Sequence, residues 1–373
     1  MTAAPRTIAT VSNFIEGLLR RIGSIVFRLC VAAAFVSLTA SAAASSASSS
    51  SQVNAGPTAF RPVDASLLQA LTVSPNGDVW IAPSRNGAQT SGTSERIVVF
   101  DPHRSEMAAF KIPRRAMDQP GFSPGIIALA SDGPDVWLIE GGRATQVDGT
   151  YSILRFESSK LGYGPTSAVA AHDRSLWLGG AGLIERVDRA DDSKTYRLTY
   201  AGNGPFGLAS YGDDGIVFAI GHGLGTIRVD AAGKERMRYF NTGALSSPEG
   251  VVAASDGAIW STDTRGSLLR VALDGSVERY RVPTFPSEPF GIALGPDGAI
   301  WFTEFFAGKI GRLDQRSGTI REFHIPYDES FPTAIAAGKN CLWFFDLNNN
   351  IGRVTTAGKI TEYEVPAQSS VTY

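Results

Sequence analysis

Histidine and cysteine are scarce in this 373-residue chain, with four of the first and two of the second. Cys30 falls in an apolar N-terminal stretch, which leaves Cys341 alone beside Leu342 and Trp343. That excludes an intrachain disulfide framework and any C-x-x-C metal or redox motif, and suits a small buried hydrophobe. There is no Walker A, H-E-x-x-H, G-x-S-x-G or EF-hand loop, and IGHGLG (220–225) lacks the G-x-G-x-x-G spacing of a dinucleotide site. Outside the first 54 residues no stretch shows helical periodicity. Charge is also sparse, at 19% of residues and −2 overall. Residues 1–54 carry four arginines and one glutamate, so the remainder sits near −5. Mild acidity argues against nucleic acid or an anionic membrane as partner.

What is abundant is glycine, 40 residues, with 20 prolines and six tryptophans. The stretch 287–326 shows how they are used. It holds four short apolar runs, FGIAL, AIWFTE, KIGRL and TIREFHI, parted by the turn signals Pro-Asp-Gly, Ala-Gly and Arg-Ser-Gly. Four strands joined by tight turns make a meander, and the meander recurs. Trp80, Trp137, Trp177, Trp260, Trp301 and Trp343 are spaced 57, 40, 83, 41 and 42 residues apart, and Phe218 divides the 83 into 41 and 42. The flanks recur as well, with SPNGDVW, ASDGAIW and GPDGAIW before the aromatic anchor. Seven repeats with a period in the low forties predict an all-β, seven-bladed β-propeller of four-stranded antiparallel blades. The expected blades cover about 65–113, 122–157, 164–199, 204–240, 247–283, 287–326 and 331–366, with an exposed polar insertion at 84–95 in the first. The seventh has its own fourth strand at 359–365, so closure needs no strand from 57–64.

Residues 1–44 read as a signal peptide: Arg6, Arg20, Arg21 and Arg28 precede the twelve-residue apolar core 29–40 and small residues near Ala42–Ala44. Twelve apolar residues fall short of a bilayer span, so no stable membrane insertion is expected after cleavage. A Ser-rich spacer (45–64), the propeller (65–366) and a short tail (367–373) follow. The expected location is periplasmic or secreted, and the expected form a monomer.

In an up-and-down meander the start of strand one and the end of strand two share one face of the disc. That face collects Glu140, Glu249, Asp263, Glu288, Glu304, Glu329, Asp346 and His222, with Phe206, Phe290, Phe305, Phe306 and Phe331 near them. His103 and His172 fall on the opposite face, and His324 in an outer strand. The four phenylalanines Phe206, Phe290, Phe305 and Phe306 are candidate ligand contacts, as a stacking rim or else as packing between blades. His222 is the one histidine placed for chemistry.

The Pro-x-Gly-Ile-Ala opening, the run DGAIWFTE and the turn-and-strand GKIGRL resemble the virginiamycin B (streptogramin B) lyase family over essentially the whole propeller. The resemblance implies a seven-bladed propeller that linearises cyclic depsipeptides by elimination at the ester, using Mg²⁺ on glutamates and histidines that follow Pro in late blades. It places Glu288 and, close by, Glu304 at the metal. It also exposes a departure. Where the family has its base, after Pro289, this chain has Phe290, and the matching positions in the neighbouring blades are Glu249 and Thr333. Elimination needs a base near neutral pKa and a stabilised leaving carboxylate. Phenylalanine supplies neither. Three functions therefore stand open: a diverged protein binding a small molecule or peptide, with Mg²⁺, on the acidic and aromatic face; a working lyase with Glu249 or His222 as substitute base; and a non-catalytic propeller for protein or glycan.

Overall fold

A computed structural model describes residues 71–82, 96–111, 126–140, 143–150, 152–158, 167–180, 182–187, 193–198, 204–230, 232–327, 329–348 and 350–365. The signal peptide, spacer, first-blade insertion and C-terminal tail expected from the sequence lie outside the described residues. All the described residues belong to one compact unit, Ala65–Tyr373.

They form seven four-stranded antiparallel sheets and no helix. Each sheet is built from four consecutive strands, within 71–111, 126–158, 167–197, 208–241, 248–281, 289–324 and 332–364. The seventh blade completes itself with Ile360–Glu364, and among the described residues no strand is swapped. First strands of neighbouring blades touch all the way round, blade seven against blade one included, so the ring is closed. They line a central cavity of about 280 Å³, to which all seven first strands contribute, Leu71, Ala130 and Ile335 among them.

Alternation along each second strand explains how the blades adhere. All six tryptophans occupy one register: Trp301 pairs with Ala293 on strand one and Arg312 on strand three, and Trp260 with Val252 and Arg270. The next residue faces the other side of the sheet. The tryptophan of one blade thus meets the following position of the next: Trp260 packs with Phe302, Trp301 with Phe344, and Trp343 with Ile81 of blade one. Each fully buried large apolar side chain contributes about 1.5–3 kcal/mol.

Phe218 is the exception to the expected pattern. It pairs with Leu208 and Gly225, as Phe302 pairs with Ile292 and Gly311, so its equivalents are Phe302 and Phe344. Val217 stands in the tryptophan position of blade four. The seventh anchor is therefore one residue earlier and smaller than the spacing implied. The glycine opposite these phenylalanines has a steric cause. A Cβ on Gly225, Gly311 or Gly352 would lie 2.1, 2.1 or 1.8 Å from the ring of Phe218, Phe302 or Phe344.

Candidate functional site at the channel mouth

The site begins with a column of glycines. A Cβ on Gly207 would sit 2.5 Å from the Glu249 carbonyl, one on Gly250 2.7 Å from that of Phe290, and one on Gly291 2.3 Å from that of Thr333. Only glycine lets first strands approach this closely. Two threonines fasten the approach. Gly250 N–H donates to Thr262 Oγ1 (2.9 Å), whose hydroxyl donates to the Phe290 carbonyl (2.6 Å). Gly291 N–H donates to Thr303 Oγ1 (2.8 Å), which donates to the Thr333 carbonyl (3.1 Å). Phe206, Glu249, Phe290 and Thr333, each following a proline, are thereby set side by side on four successive blades.

Glu288 enters from the linker ahead of Pro289 with φ of 47°. A glutamate in the left-handed region costs of order 1–3 kcal/mol and marks a functional or over-determined position. The backbone there is pinned: the Glu288 carbonyl accepts from Phe305 N–H and the Ser287 carbonyl from Phe306 N–H, both at 3.1 Å. From this turn the charge of Glu288 reaches Glu249. Glu249 is 7% exposed and its Oε2 has no hydrogen-bond partner. Burial, with the nearby charge of Glu288, pushes its pKa up to about 8, and burial pushes Glu288 up to about 7.

Glu304 goes elsewhere. It ends the second strand of blade six, paired with Lys309 on the third and facing Glu322 on the fourth. Burial, then the charge of Glu322, raises it to about 8. Against burial, which alone would raise it, Lys309 and Thr284 hold Glu322 below its ordinary value. The same position in blade five is Asp263, buried and ion-paired with Arg279, and in blade seven Asp346, facing Glu362. So the acid felt by Glu249 is Glu288, and the one felt by Glu304 is Glu322. Among the described residues no three His, Cys, Asp or Glu side chains form a set that could hold a metal ion.

The aromatic residues divide too. Phe305 sits at the centre of a cluster, 6.1 Å from Phe290, 5.2 Å from Phe306 and 5.4 Å from Phe331 between ring centroids. Phe290 and Phe305 are 2% exposed and Phe306 4%, so these rings form a packed floor; Phe206 is half-buried, outside the cluster. His222 is exposed after the second strand of blade four. Its Nδ1 donates to the Ser246 carbonyl at 2.7 Å, tying it to the linker that leads into Glu249. Glu329 is exposed, with φ of 62°. On the opposite face, His172 Nδ1 donates to the Gly212 carbonyl (2.8 Å), and His103 lies in the turn after Asp101, whose carboxylate accepts from its backbone N–H.

The family model for virginiamycin B lyase matches residues 192–372. A search of curated proteins gives no match. Among solved structures, a streptogramin B lyase is 27% identical over 65% of this chain and 83% of its own, with a TM-score of 0.59. Virginiamycin B lyase from Staphylococcus aureus is 22% identical, covering 76% of this chain and 92% of its own, with a TM-score of 0.61. A catalytically inactive variant of that enzyme, solved with quinupristin, gives the same values and likewise speaks to fold. The resemblance carried by the repeats holds: from residue 192 to 372 this chain matches the virginiamycin B lyase family, and its propeller has the fold of the streptogramin B lyases.

Proposed function

We propose that this propeller binds a small molecule or peptide at the mouth formed by Phe206, Glu249, Phe290 and Thr333, and eliminates streptogramin-type esters weakly or not at all. The observation that carries the binding reading is the buried Glu249 carboxyl with an unpartnered oxygen at the mouth. A group so placed gains most from a ligand that supplies the missing partner. The weak elimination follows from Phe290, an apolar ring packed against Phe305 where the family's base is expected. The leader read at 1–44 supports a periplasmic or secreted protein.

A working lyase is the second reading, and the pKa of Glu249 favours it. A carboxylate that titrates at about 8 is a far stronger base than an ordinary glutamate. In that reading Glu249 takes the proton next to the carbonyl, the C–H electron pair becomes the new C=C bond, and the C–O bond breaks to release a carboxylate. His222, oriented by Ser246, is the other candidate base.

Incubation with a cyclic depsipeptide, followed by fragmentation mass spectrometry, separates the readings, because elimination leaves the mass unchanged but alters the fragments. The expected result is binding with little or no opening. Phe290→His should raise turnover, since one positioned general base is worth about 10²–10⁴ in rate. Robust turnover lost in Glu249→Gln would establish the second reading. Robust turnover that survives both Glu249→Gln and His222→Ala, or an absence of binding, would overturn both.

A further inference from the structure

Three linkers between blades are described along all or nearly all their length, and each holds one large apolar side chain out in solvent. Leu245 is 76% exposed in the linker into blade five, Phe285 81% in that into blade six, and Tyr327 60% in that into blade seven. A fourth strand ends, and the next first strand begins, at the same end of the blades, so all three tips stand on the face of the channel mouth. The linkers are anchored around them. Ser246 closes the turn that carries Leu245, donating both its N–H (2.9 Å) and its hydroxyl (2.6 Å) to the Gly243 carbonyl. Thr284, just before Phe285, donates its N–H and hydroxyl to the Glu322 carboxylate at 2.9 and 2.8 Å. On either side of Tyr327, Ile325 N–H donates to the Gly308 carbonyl and Ser330 Oγ to Asp346, both at 3.1 Å. A fixed backbone thus projects the tips instead of letting them fold onto the core. A single exposed apolar residue needs no explanation. Leu154, Met237 and Val277 in outer strands, and Leu273 in a turn on the opposite face, are of that kind. Three at one place in three successive linkers form a pattern.

We propose that Leu245, Phe285 and Tyr327 dock the mouth face reversibly on the surface of an electrically neutral lipid bilayer. Their exposure makes them convex points, not the walls of a groove. A fluid apolar layer receives separate points without matching their shape, whereas a folded partner would need a pocket for each. Side-chain chemistry agrees. Leucine and phenylalanine enter the acyl region, and tyrosine, apolar with one polar tip, suits the boundary between chains and headgroups. Charge agrees as well. Residues 241–247 and 282–287 contain no charged side chain, and Tyr327 is followed by the acidic Asp328 and Glu329. That suits zwitterionic headgroups and matches poorly the negative potential of an anionic leaflet. The chain also enters the propeller on this face, at Leu71, where the first strand of blade one begins. The leader read at 1–44 places an exported protein beside a membrane. Attachment through three side chains is shallow and scales with the apolar area they bury, without a span across the bilayer.

The test is flotation of the exported protein with phosphatidylcholine vesicles, together with hydrogen–deuterium exchange of the bound form. The expected result is binding that high salt leaves within about twofold, with exchange slowed in 242–247, 282–288 and 325–331 and unchanged in 272–276. Phe285→Ser should weaken binding about tenfold, and Leu245→Ser combined with Phe285→Ser about a hundredfold. Leu273→Ser, at a turn residue 61% exposed on the opposite face, should leave it within about twofold. Circular dichroism checks that the variants fold; if one does not, the exchange pattern of the wild type decides. Wild-type protein that ignores these vesicles overturns the proposal. So does binding confined to phosphatidylglycerol vesicles and lost in high salt, or protection that falls outside the three linkers. A dimer in sedimentation equilibrium that Phe285→Ser dissolves, without vesicle binding, would assign the tips to a second copy and overturn it too. No ligand of the mouth enters these measurements, so the ligand-binding reading stands or fails separately.

Discussion

Gly291→Ala is expected to destabilise the propeller by about 3–5 kcal/mol, against about 0.5 kcal/mol or less for Gly149→Ala. At Gly291 the added Cβ would lie 2.3 Å from the Thr333 carbonyl oxygen, 3.2 Å from Ile335 N and 3.3 Å from Thr303 Oγ1. The first two are backbone atoms of a strand already bonded into blade seven, so neither can step aside without moving the sheet. Overpacking of this kind costs about 1–3 kcal/mol. Displacing Gly291 N–H from Thr303, and Thr303 from the Thr333 carbonyl, forfeits two buried hydrogen bonds worth about 1 kcal/mol each. Gly149 sits in a turn where the nearest atom is the Pro134 carbonyl at 3.9 Å. Urea denaturation of both variants measures the difference. Equal midpoints would mean that the first strands of blades six and seven are not held at the spacing that sets Phe290 beside Thr333.

The propeller was legible because its signal is redundant. Six tryptophans in one register, glycine turns at fixed offsets and alternating fourth strands all specify the same repeat. Phe218 shows where counting fails. A strand alternates sides at every residue, so a one-residue slip exchanges one neighbouring blade for the other while hardly changing the spacing. The available signal was Gly225, which answers Phe218 as Gly311 answers Phe302. Glu304 shows a related limit. The direction of the strands tells which end of a blade a residue occupies, and Glu288 and Glu304 do share an end. It does not tell which side of the sheet the carboxylate leaves from. That choice is written in the fourth strand, where Arg279, Glu322 and Glu362 face Asp263, Glu304 and Asp346. The partnership of Glu249 with Glu288 joins two blades and depends on how near they come. Gly250 and Gly291, read as strand residues with no side chain to pack, were the clue to that nearness.

Thermal stability is expected to fall as pH rises from about 4.5 to about 8, and Glu304→Gln should remove much of the fall. Burial raises Glu249 and Glu304 to about 8, Glu288 and Glu362 to about 7, and Asp346 above its ordinary value. In this interval the folded chain keeps protons that the unfolded chain has released. Raising the pH therefore favours the unfolded state. The contribution of each acid is complete below its unfolded value near 4.5 and is lost as pH climbs through its folded value. The surface aspartates act in the opposite sense at lower pH. Asp148, Asp274 and Asp314, each accepting from neighbouring backbone or hydroxyl groups, are held below their ordinary value, so stability drops again under strong acid. Glu304 is the cleanest probe, because it is fully buried and faces Glu322, to which a glutamine amide donates as a protonated carboxyl does. At pH 4.5 Glu304→Gln and the wild type should melt within a degree or two of each other. At pH 8.5 the variant should be more stable by on the order of 3–5 kcal/mol, about 10 °C in Tm. Calorimetry across that range in the presence of a chelator, so that no cation masks Glu249 and Glu288, gives the answer. A wild-type Tm that holds or rises between pH 5 and 8 would mean that these carboxyls are solvated or paired in the folded protein.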